Sequence, residues 1–102
     1  MAEPINLEKY IEYSPQATVS KTLKENKAGT ITLFAFDAGQ GLSEHSAPFD
    51  AVVQVIENEG HFTVGEEEHI LRKGQLLIMP SNVPHSVRAI QKFKMLLTML
   101  RA

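Results

Sequence analysis

Hydrophobic and polar positions change places every few residues along this chain. The clearest run is Thr30-Ile31-Thr32-Leu33-Phe34-Ala35-Phe36. A strand there puts Ile31, Leu33 and Ala35 on one face and Phe34 and Phe36 on the other, which predicts cover on both sides. Ala51-Val52-Val53-Gln54-Val55-Ile56 is likewise too apolar for a half-exposed strand. Shorter runs follow the same logic at Ala17–Glu25, His61–Val64, His69–Leu71, Gln75–Met79, His85–Ile90 and Phe93–Leu100. Between them lie turn signals: Asn26-Lys27-Ala28-Gly29, a loop at Gly39–Ser43, Asn58-Glu59-Gly60, Gly65 with a solvated Glu66-Glu67-Glu68, and a corner from Pro80 to Pro84. About eight strands at intervals of roughly 8–12 residues predict an all-β fold, a single closed antiparallel β-barrel or jelly roll. The exception is Pro4–Ser14, where Ile5, Leu7, Tyr10 and Ile11 have near-helical spacing and suggest a short N-terminal helix or an ordered arm.

Length and charge narrow the function classes. With 102 residues, positions 1–102 make one domain, and any site must be built from the barrel's own strands. A net charge of −2 with both signs interspersed offers no basic stripe, so a nucleic-acid partner is not expected. The opening Met1-Ala2-Glu3-Pro4 lacks the lysines and apolar run of a signal peptide, and no stretch has the apolar length of a membrane span. The expectation is a soluble, cytoplasmic protein with no membrane partner. Zero cysteines exclude disulfides, thiolate metal sites and cysteine nucleophiles.

Two segments carry candidate chemistry. Gly39 is followed after five residues by His45; Gly74 is followed after five residues by Pro80 and then by His85. These spacings resemble the two motifs of the cupin superfamily, usually written G-x5-H-x-H-x(3,4)-E-x6-G and G-x5-P-x-G-x2-H-x3-N. The first spans about residues 39–58 here and the second about 74–89, and the Gly60–Gly74 stretch resembles the hairpin between them. The resemblance implies a double-stranded β-helix. Asn58 and Asn82 stand where the family has glycine, and asparagine best replaces glycine in a left-handed conformation. Ala47 and Ala51 stand where the family has its second histidine and its glutamate, and Ala89 replaces the final asparagine.

The resemblance also implies a divalent metal (iron, manganese, nickel, copper or zinc) on three histidines and a glutamate. Of these ligands only His45 and His85 remain. Further candidates are Glu44, Asp50, Gln54 and His61; strand alternation points Gln54 away from the Ala51 position unless a bulge intervenes. Walls for a small-molecule ligand are expected from Phe34, Phe36, Phe49, Val53 and Ile78. Three functions fit: a small cupin binding a small molecule, with or without metal on His45 and His85; a metal-dependent enzyme of dioxygenase, isomerase or decarboxylase type; or a metal-free sensing module. Without metal, either histidine suits a general base. Edge strands at Ala17–Leu23 and Phe93–Leu100 suggest a homodimer with the N-terminal segment at its interface.

Overall fold

The alternating runs form nine strands in the computed structural model, which describes residues 2–101. They are β1 (Thr18–Asn26), β2 (Gly29–Phe36), β3 (Gly41–His45), β4 (Asp50–Glu57), β5 (Glu59–Val64), β6 (Glu67–Arg72), β7 (Leu76–Met79), β8 (His85–Arg88) and β9 (Phe93–Leu100). Every pairing is antiparallel. One sheet has the order β1-β2-β9-β4-β7 and the other β3-β8-β5-β6, so the chain crosses between layers as a jelly roll does.

The facing sides of the two sheets make the main core. Phe36, Phe62 and Phe93 lie at one end of it, with Phe93 stacked on Phe36 (4.9 Å between centroids) and edge-on to Phe62 (6.0 Å). Gly60 is required there, because a Cβ on it would stand 2.4 Å from the Phe93 ring. Val53, Val55, Met95 and Met79 continue the core toward the other end.

The expected two-sided burial of β2 is met by a second cluster. Leu33 and Ala35 turn outward and are covered by Ile11 from the N-terminal segment, with Leu7, Tyr13, Val19, Leu23, Ile56 and Leu96 around them. Burying one such aliphatic side chain is worth roughly 1.5–3 kcal/mol, enough to hold a short segment against the sheet. A polar clamp adds to it. The buried Lys94 ammonium lies 3.7 Å from the Glu57 carboxylate and donates to the Glu8 carbonyl, while the Tyr13 hydroxyl donates to Glu57. Burial, and then Glu57, push the Tyr13 hydroxyl above its usual range.

Of the two shapes expected for the N-terminal segment, helix or arm, the structure takes the arm: Lys9 and Tyr10 donate to the carbonyls of Asn6 and Leu7, but the turn does not propagate. A helix this short does not repay its nucleation, and anchorage on the sheet decides its shape. Gly41, expected in a loop, begins β3. Phe93–Leu100, expected at an edge, lies between β2 and β4, because its apolar residues on both faces demand central burial.

Candidate functional site

His45 ends β3 and His85 begins β8, and the two are directly opposite in the ladder. A bulge produces this pairing. Leu42 faces Val87, yet His45 rather than Glu44 faces His85, so β3 spends one extra residue where β8 does not. Without that residue Glu44 would take the inward position.

The rings meet edge-on, with centroids 4.4 Å apart and planes at 69°. Each Nδ1 lies close to the carbonyl oxygen two residues earlier: His45 to Ser43 at 2.7 Å, His85 to Val83 at 3.1 Å. A carbonyl only accepts, so Nδ1 carries the proton and donates, leaving Nε2 of each neutral ring as a bare acceptor. His85 is only 5% exposed, whereas His45 is open to solvent. Burial lowers the His85 pKa below its usual value; the Val83 carbonyl opposes this and neighbouring His45 reinforces it. Asn82 (φ 65°), beside the pair, and Asn58 (φ 61°), at the far end of β5, adopt the conformation that the motif assigns to glycine, and the Asn82 amide donates to the Ala47 carbonyl at 2.7 Å.

The other candidates do not converge on the pair. Asp50 is exposed and accepts the Ser81 amide at 2.9 Å. Gln54 lies on the outer face of its sheet, in register with Leu76 and Leu96, as alternation predicts. His61 also faces outward, 3.8 Å from Glu59, because Gly60 and Phe62 on either side turn into the core. Among the described residues no three His, Asp or Glu side chains are grouped so as to hold a metal. Ala51 is fully buried and lies in register between Met79 and Met99, so apolar groups surround the position of the family's glutamate. A donor set of two imidazoles does not fit a metal that takes three histidines and a carboxylate.

Of the expected wall residues, Phe36 and Val53 are completely buried inside the barrel and Phe34 stacks beside Phe36 at 5.6 Å. Phe49 is half-buried, with the Arg101 guanidinium 5.9 Å from its ring. Ile78 must be corrected: it pairs with Val52 on the outer face and is 57% exposed. Inward parity on β7 belongs to Leu77 and Met79. The half-buried Val64, directly opposite His85, and Met99, opposite Ala51, are neighbours that periodicity alone would have identified had the register been known.

Residues 32–100 match the family described as "Cupin domain". No curated protein matches the sequence. Among solved structures, a conserved protein of unknown function from Streptococcus pyogenes is 29% identical with a TM-score of 0.94, over 100% of this chain and 90% of that one. A cupin 2 conserved barrel domain protein from Leptotrichia buccalis is 36% identical with a TM-score of 0.91, over 95% of this chain; the match spans 47% of that protein. A cupin superfamily protein from Desulfitobacterium hafniense, 24% identical with a TM-score of 0.93 over 100% and 94% of the two chains, shares the fold.

Proposed function

The chain belongs to the cupin domain family, and from that premise we propose that it is a small-molecule-binding cupin whose ligand is held at the open end of the barrel by His45 and His85. The observation that carries this reading is the pair of bare Nε2 atoms, presented by rings whose Nδ1–H groups are already committed to backbone carbonyls. Two such acceptors suit a ligand hydroxyl or acid proton. Burial favours the neutral, proton-accepting form of His85, and the exposed His45 is placed to contact the ligand from solvent. Half-buried Val64 and Met99 supply apolar contact beside them.

The test begins with metal analysis of protein purified without a nickel column. The proposal expects substoichiometric metal, followed by ligand-induced thermal stabilisation in a small-molecule screen that His45→Ala and His85→Ala abolish. Stoichiometric metal lost in both variants would replace this reading with metal-dependent chemistry.

The protein acts as a homodimer in this proposal, although not through β9, which is interior to its sheet. Leu76, Ile78 and Leu100 are 52%, 57% and 47% exposed on the outer face of the five-stranded sheet. That face supports a partner copy. A sedimentation mass of one chain at micromolar concentration would reject it.

A further inference from the structure

The outer face of the four-stranded sheet carries a cavity of about 390 Å³ lined by His61, Thr63, Glu68, Ile70, Ser86 and Arg88. It lies across the sheet from the histidine pair. The register sets Arg88 beside His61 and Ile70 in one row and Ser86 beside Thr63 and Glu68 in the next, while Val87, Phe62 and His85 alternate into the core. Gly41 completes the first row on the far side of Arg88, where no Cβ fits because it would fall 2.1 Å from the Val87 carbonyl oxygen. The guanidinium therefore has no side chain on that flank.

The polar groups of this wall are not spent on one another. Among the described residues neither Arg88 nor Glu68 has an oppositely charged partner, and the hydroxyls of Thr63 and Ser86 make no hydrogen bond. Arg88 on β8 and Glu68 on β6 are separated by β5, so two strand spacings keep their backbones roughly 10 Å apart, and no ion pair joins them among the described residues.

We propose that this cavity binds a small molecule bearing a carboxylate or phosphate at one end and an ammonium or hydroxyl at the other. The anion sits on the Arg88 fork with the Ser86 hydroxyl, a geometry that planar guanidinium favours. The donor end reaches Glu68, with Thr63 and His61 between and Ile70 against the ligand's carbon skeleton. The volume is at the small end of ligand pockets and suits a molecule of this kind.

The test is an amide-resolved NMR titration with three probes: 4-aminobutyrate, butyrate and inorganic phosphate. Shifts confined to the cavity lining, His61, Thr63, Glu68, Ile70, Ser86 and Arg88 with the intervening Phe62 and His69, are expected with 4-aminobutyrate, with His45 and His85 unmoved. Arg88→Ala should weaken binding of every probe by about tenfold or more, the worth of a charge-assisted contact. Glu68→Gln should weaken 4-aminobutyrate but leave butyrate and phosphate unchanged. Both residues are exposed, and Ser86→Ala is a milder variant should either misfold. No shifts with any probe at millimolar concentration, shifts that survive Arg88→Ala, or phosphate shifts spread over all surface lysines would each overturn the proposal. Failure of the histidine-pair reading would leave these outcomes unaffected.

Discussion

Acidification should destabilise this protein through His85, and the His85→Asn variant should remove that sensitivity. His85 is 5% exposed, and burial first, then the neighbouring His45, hold its pKa below the usual 6.5. The unfolded chain therefore binds a proton at a higher pH than the folded one. Above pH 6.5 both states are neutral at this position and the full stability is present. As pH falls below 6.5 the unfolded state protonates first, and stability is lost until pH passes the folded pKa. One group contributes at most about 1.4 kcal/mol per pH unit in that window. For a domain of this size each 1 kcal/mol is roughly 4–8 °C in Tm. The assay is urea unfolding at intervals from pH 7.5 to 4.5 for both proteins. Asparagine preserves a donor toward the Val83 carbonyl but does not titrate, so the difference between the two curves isolates His85 from the exposed or half-buried His45, His61 and His69. Parallel curves, or an NMR titration placing the His85 pKa at or above 6.5, would refute the reasoning.

Other outcomes follow from packing and backbone geometry. Gly60→Ala should lower stability by about 1–3 kcal/mol in urea unfolding, since its Cβ would collide with a fully buried Phe93 ring that has little freedom to move. Asn58→Ala should cost about 1–2 kcal/mol more than Asn58→Gly in urea unfolding, because both lose the Nδ2 bond to the Lys92 carbonyl but only alanine resists φ 61°. Lys94→Ala should loosen the arm, and limited trypsin digestion should then cut at Lys9 faster than in the parent; equal rates would show that Ile11 and Leu7 hold the arm unaided.

Much of this protein is legible without coordinates, for a local reason. Period-two alternation and turn residues act on their own neighbours, so the strands and an all-β barrel or jelly roll follow from short windows of residues, and the resemblance to the cupin motifs adds the left-handed turns at Asn58 and Asn82, where asparagine stands for glycine. The absence of ligands at Ala47 and Ala51 follows instead from the resemblance to the two cupin motifs. What the tertiary structure alone decided is which way each strand faces and what lies beside it. Ile78 looked like a barrel wall until β7 paired with β4 and turned it outward. Phe93–Leu100 looked like an edge until two neighbours enclosed it. A single bulged residue in β3 brings His45, and not Glu44, opposite His85. Register is a long-range property, and shifting it by one residue reverses every side chain, so no local pattern in the chain encodes it.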